Sequence, residues 1–144
     1  MADKFRFADV DEVIAKFPDT APTLLVDAYL SDRAEASIRL FRLYDTLPAH
    51  HHQQCDELLY LLRGRVRFEI EGEPARELGA GQLVVFLRGV VHAVTPVGGD
   101  PAVFLSADTP RRDPKDVHFT DPAAARGKAF VTHLPGYGPE DGAR

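Results

Sequence analysis

The stretch His50-His51-His52-Gln53-Gln54-Cys55-Asp56-Glu57, followed by Leu58-Leu59-Tyr60-Leu61-Leu62-Arg63-Gly64, decides how the chain is read. Four of the six histidines lie in it or at His92. Imidazoles and a carboxylate just ahead of an apolar strand point to a metal site inside a β structure. On a strand, residues i and i+2 share a face, so His50 and His52 can converge on one point while His51 turns away. Glu57 lies at an odd separation from His52, which on one continuous strand would put them on opposite faces. A polar turn at Gln53-Gln54-Cys55-Asp56 resolves this, and Glu57 then opens the next strand pointing inward.

Working outward, the flanking sequence is that of an all-β protein. Ala36 to Tyr44 alternates, with Ile38 and Leu40 on one side and Arg39 and Phe41 on the other. Thr46-Leu47-Pro48 breaks this strand before the histidines. Leu58 to Leu62 is apolar at every position, as in a strand covered on both sides. After Gly64, Val66, Phe68 and Ile70 alternate with Arg65, Arg67, Glu69 and Glu71, a solvated outer face. Glu71-Gly72-Glu73-Pro74 is a turn. Ala75 to Leu78, a buried Gln82 to Leu87, Val90 to Thr95 and Ala102 to Ala107 follow as strands between glycine- and proline-rich turns. Upstream, Asp9 to Phe17 has apolar residues at i, i+3, i+4 and i+7 and reads as a short helix ended by Pro18. Leu24 to Leu30 reads as a strand. About eight short strands in one domain predict a sandwich or barrel. Beyond Thr109-Pro110, a charged loop at 111–116, a helical turn at Ala123-Ala124-Ala125-Arg126 and a frayed tail from Gly136 to Arg144 are expected.

His92 comes from a third strand and supplies a further imidazole. Two blocks then stand at fixed spacing: His50-x-His52-x4-Glu57-x6-Gly64, and Gly81-x5-Leu87-x-Gly89-x2-His92. They resemble the two motifs of the cupins over residues 36–107. The resemblance implies a double-stranded β-helix, or jelly roll, with a short N-terminal helix. It implies three parts: residues 1–35 packing on the barrel, the barrel at 36–108, and an extension at 109–144. It further implies a divalent transition metal (Fe, Mn, Ni, Zn or Cu) held by His50, His52, Glu57 and His92, with open positions for water or substrate. Three positions depart from the motifs: Tyr44 stands where glycine is usual, Leu87 for proline, and Pro96 for asparagine. All three bear on loops more than on ligands.

Other candidates read as scaffold. Cys55 is a turn residue, and a lone cysteine makes no intrachain disulfide. Tyr60 points away from the metal by parity. His118 and His133 fall outside both motifs. Arg42, Tyr44 and Phe104 sit on strands that can line the cavity, with packing as their expected role.

A net charge of -5 argues against a nucleic-acid binder. No apolar run reaches membrane-spanning length. The first residues lack the apolar core of a signal peptide, so a cytoplasmic setting is expected. The resemblance allows a metal-dependent enzyme on a small organic molecule, favoured as a dioxygenase-type oxidoreductase with Glu57 open to a second role as proton acceptor. The alternatives are an isomerase, epimerase or lyase on a sugar-like acid, and a non-catalytic ligand-binding barrel. The apolar strands at 24–30 and 58–62 suit a homodimer.

Overall fold

The computed structural model describes residues 4–125 and 127–140. Helix α1 is Val10–Ile14, and strands β1 to β3 are Thr23–Arg33, Ala36–Leu43 and Leu47–His51. Strands β4 to β7 are Asp56–Arg63, Arg65–Ile70, Arg76–Gly79 and Leu83–Phe86. Strands β8 to β11 are His92–Pro96, Ala102–Thr109, His118–Phe119 and Ala129–His133. They form two sheets in the orders β11-β1-β2-β9-β4-β7 and β10-β3-β8-β5-β6. Neighbours are antiparallel except β11, which runs parallel to β1. This is the double-stranded β-helix that the resemblance implies.

The core lies between the sheets. It is built on Phe68, Phe104, Leu61 and Val66, each at most 1 % exposed. Each such side chain contributes roughly 2–3 kcal/mol through burial. A smaller cluster covers the outer face of β1 and β2: Val13 and Phe17 pack on Val26, Ala28 and Leu40. That contact explains why β1 is buried on both faces. Asp9 caps α1 by accepting the Glu12 amide, so the expected helix starts where predicted but stops at Ile14.

Several expectations are corrected. The break before the histidines is present but ends sooner than expected: β2 stops at Leu43, and Leu47 and Pro48 already belong to β3. In the stretch Gln82 to Leu87 only Phe86 is buried. β7 is a sheet edge, and Leu83, Val85 and Leu87 are 55%, 49% and 63% exposed. On the interior strand β4 the outer face is only partly covered, so Leu58, Tyr60 and Leu62 are half-buried, whereas Leu59 and Leu61 face the core and are buried. The described strands number eleven, not eight, because the histidine stretch itself forms β3 and the C-terminal extension adds β10 and β11 to the two sheets. The tail is tied down to residue 140: the Tyr29 amide donates to Tyr137 O and the Glu140 amide to Asp32. Residues 141–144, and Arg126 of the expected helical turn, lie outside the described residues.

Two glycines are required by backbone shape. Gly64 turns β4 into β5 at φ 86°, where an added Cβ would sit 3.3 Å from Ala102 Cα. Gly89, also at φ 86°, donates its amide to His52 O at 2.7 Å and so fixes the loop entering β8 against the histidine stretch.

Candidate metal centre

Register brings the histidines together. His50 on β3 is the direct partner of His92 on β8, and their rings lie 4.4 Å apart. His52 follows the end of β3 on the same side, 5.3 Å from His50 and 6.0 Å from His92 between ring centres. One ring nitrogen from each of the three lies within 4.8 Å of the others. The chain bends at Gln53 and Gln54 and re-enters as β4, as parity requires. Glu57 thereby faces the same space, with Oε1 3.4 Å from Nε2 of both His52 and His92. All four residues are buried.

The imidazoles share one arrangement. Nδ1 of His50 lies 2.7 Å from Pro48 O, that of His52 2.6 Å from Asp116 O, and that of His92 2.9 Å from Val90 O. A carbonyl only accepts, so each Nδ1 carries the proton when the ring is neutral, and each Nε2 keeps its lone pair. Among the described residues, the buried Nε2 of His52 has no hydrogen-bond partner, its contact with Glu57 being long and ionic. Neutral imidazoles with the distal nitrogen free and the proximal one held by a carbonyl are what metal ligation needs. The donor set fits a divalent transition metal.

The electrostatics agree with a charged centre. Burial and the nearby His92 push His50 down to about 3, so it is neutral. Burial opposes charge on His52, but Glu57 outweighs it and raises the ring above its ordinary value. Burial likewise opposes ionisation of Glu57, and the His52 and His92 rings beside it outweigh that, holding the carboxyl well below its usual range. Phe86 stacks flat on His92 at 3.8 Å and 6°, closing one side.

Sequence reasoning missed three residues here. Arg39 lies inside the barrel, 2 % exposed. Its Nε donates to Asp108 at 2.9 Å, Nη1 to both oxygens of Asp27, and Nη2 to Ser106 and, at 3.4 Å, to Glu57. Burial opposes this charge, but Asp108, Asp27 and Glu57 hold the guanidinium well above its ordinary value. The placement on the Phe41 side of β2 was legible; that this side faces inward was not. Arg112 and Asp116 come from the loop between β9 and β10. Asp116 accepts the Gln53 and Gln54 amides at 2.9 Å each and the His118 ring at 3.0 Å, while its carbonyl holds His52. Arg112 is buried and lines the cavity. No local motif marks either residue.

The remaining candidates are placed as scaffold. His51 stacks on His118 away from the cluster. Cys55 is fully buried, and burial with the nearby Asp108 pushes its thiol up to about 12. Phe104 is core, and Tyr44 donates its hydroxyl to Pro18 O. Arg42 lies over the Tyr44 ring. Tyr60 is half-buried beside the edge strand, opposite Leu83. His133 is exposed.

The cupin domain family matches residues 44–108, the span holding all four candidate ligands. Residues 44–108 are a cupin domain, carried on a double-stranded β-helix fold. Among solved structures, this cupin resembles an uncharacterized conserved protein with a double-stranded beta-helix domain from Klebsiella pneumoniae. Identity is 16%, coverage 76% of this chain and 93% of that one, and the TM-score 0.63. It also resembles KdgF from Halomonas sp., at 21% identity, 67% and 86% coverage and a TM-score of 0.57. A third likeness is the DMSP lyase DddQ from Ruegeria pomeroyi, at 26% identity and a TM-score of 0.52. That match covers 60% of this cupin and 44% of the lyase. No curated protein sequence matches the chain. No described helix of this cupin is long and apolar enough to cross a membrane.

Proposed function

We propose that this cupin is a metal-dependent enzyme acting on a small organic molecule, with a divalent transition metal held by His50, His52, His92 and Glu57. The observation that carries the reading is the common setting of the three imidazoles, each with Nδ1 on a backbone carbonyl and Nε2 toward the same buried space. When bound, such an ion would supply a Lewis acid for a substrate oxygen or a site for dioxygen. The chain's own groups do the rest. The carbonyls of Pro48, Val90 and Asp116 orient the rings. Arg39 holds Oε2 of Glu57, leaving Oε1 to the imidazoles. Glu57, ionised, can also accept a proton from a substrate.

We favour dioxygenase-type oxidoreductase chemistry, because Phe41, Leu59, Val94 and Phe130 give the cavity largely apolar walls that keep water out. A lyase or isomerase on a sugar-like acid is the second reading, supported by the buried Arg112 in the wall and by the likeness to the DMSP lyase. Elemental analysis of protein purified without added metal or chelator tests the centre. Near one equivalent of a transition metal is expected, lost in His50→Ala and His92→Ala; a metal-free wild type that takes up no metal refutes it. Oxygen uptake by iron-loaded protein with phenolic, diketone and small acid substrates then tests the reaction, and turnover of an acid without uptake reverses the preference.

We also propose a homodimer. Leu83, Val85 and Leu87 form an exposed apolar stripe on the unpaired edge β7, continued by Leu58 and Tyr60 on β4, and a second copy offers the same stripe. Sedimentation as a monomer at micromolar concentration would remove this part of the reading.

A further inference from the structure

Two guanidinium groups line the cavity, and their surroundings differ. Every nitrogen of Arg39 donates to a side-chain acceptor. Arg112 is not matched in this way. Its side chain is 5% exposed, and its ionic contact is with Asp108 Oδ2 at 3.5 Å. That oxygen already accepts the 2.9 Å bond from Arg39 Nε. Among the described residues, Nε of Arg112 has no hydrogen-bond partner. A guanidinium carries five N–H donors in a planar fork suited to a carboxylate. An arginine whose purpose is to neutralise Asp108 would approach within hydrogen-bonding distance, and this one does not.

The charges point the same way. Arg39 and Arg112 carry two positive charges; Glu57, Asp27 and Asp108 carry three negative ones. Asp116 is answered separately, by the Gln53 and Gln54 amides and His118. A divalent ion on neutral imidazoles turns the sum from one negative to one positive charge. A buried excess charge is costly until a counter-ion meets it. Arg112 shares one small cavity with the histidines and Glu57, about 20 Å³ or room for about one water-sized group, so only a small ligand head can be taken there. Much of its wall is apolar, including Phe41, Val94 and Phe130.

We propose that Arg112 anchors the anionic group of the substrate, and that the substrate is a small organic carboxylate whose head lies between this guanidinium and the histidine cluster. The inference rests on the metal-centre reading above. It makes Arg112 a specificity-determining residue supplied from outside the residues 44–108 matched by the family, on the same loop that clasps the ligand-bearing turn through Asp116.

Cobalt(II)-loaded protein tests it, with the visible spectrum as readout and acetate as probe, against neutral acetamide of the same shape. Acetate is expected to shift the spectrum saturably and acetamide not to. Arg112→Gln is expected to bind cobalt at unchanged stoichiometry and acetate about tenfold or more weakly, the scale of a lost charged hydrogen bond. Arg112→Lys, which keeps the charge without the fork, is expected to fall between the two, and it decides the matter if the glutamine variant does not fold. Equal acetate affinity in wild type and in whichever variant folds overturns the anchor while leaving the metal centre standing. Equal response to acetate and acetamide overturns it too. Failure of the wild type to bind cobalt overturns both readings.

Discussion

Removing the Asp116 carboxylate tests whether the C-terminal extension belongs to the site. In Asp116→Ala, the Gln53 and Gln54 amides each lose a 2.9 Å bond and the His118 ring a 3.0 Å bond. Hydrogen bonds to a charged acceptor are worth roughly 1.5–3 kcal/mol each when buried. Gln53 and Gln54 are exposed, so water replaces part of what their amides lose, and the His118 side chain, 41% exposed, adds under about 1 kcal/mol. The expected destabilisation is therefore about 2–3 kcal/mol, well short of the sum of three buried bonds. Burial opposes ionisation of Asp116, but the two amides and His118 outweigh it and lower its pKa. The contribution is thus complete above the ordinary carboxylate value near 3.8 and is lost as pH falls through the lowered one. At neutral pH the full effect should appear in urea denaturation of metal-free protein. The same bonds hold the turn between His52 and Glu57, so chelator competition should show metal affinity reduced about 10- to 100-fold. Asp116→Asn, which keeps one carbonyl oxygen, should recover part of both. A variant that loses the stability but competes with chelator like the wild type would show that the loop does not position His52. A variant unchanged in both would refute the bonding described.

Three further outcomes follow from single contacts. Arg39→Met leaves Asp27 and Asp108 buried without their main cation and should cost about 3–5 kcal/mol in urea denaturation; a loss under about 1 kcal/mol would mean the network is solvated. Cys55, fully buried with its thiol near 12, should resist a thiol reagent at pH 8 in native protein and react fully in denaturant. Rapid native labelling would contradict its burial. Gly64→Ala forces a left-handed backbone on a residue crowded by Ala102 and should destabilise by about 1–2 kcal/mol, so an unshifted unfolding midpoint would refute the turn geometry.

The barrel and the histidine cluster were legible because their signals are local. A strand's two-residue period fixes that His50 and His52 share a face, and the same parity demands the bend before Glu57. The edge position of β7 was not legible. Leu83, Val84, Val85 and Phe86 are apolar throughout, and only the strand order shows that Val84 and Phe86 face in while Leu83 and Val85 face out. Arg39 failed for the opposite reason. Its alternation with Ile38 and Leu40 was read correctly, but both faces of β2 are covered, the outer one by α1. Pattern alone could not say which face holds the cavity.

Arg112 and Asp116 were illegible in a deeper sense. A charged, proline-punctuated segment reads as a solvated loop, and most such segments are. Here the loop is drawn in because the histidine stretch leaves needs that β3 and β4 do not meet: two amides at Gln53 and Gln54, and a ring nitrogen on His52. Asp116 meets all three with its carboxylate and carbonyl, and doing so carries Arg112 into the barrel four residues earlier in the chain. The requirement arises only once the chain has turned between β3 and β4, so neither it nor the residue that answers it is marked in the sequence. The candidate metal ligands come from the span the family shares, while the cation proposed to select the substrate comes from outside it. On the proposed reading, ligand preference should accordingly be altered more readily by changes in the loop at 110–117 than by changes on the barrel strands, where the same side chains also hold the core.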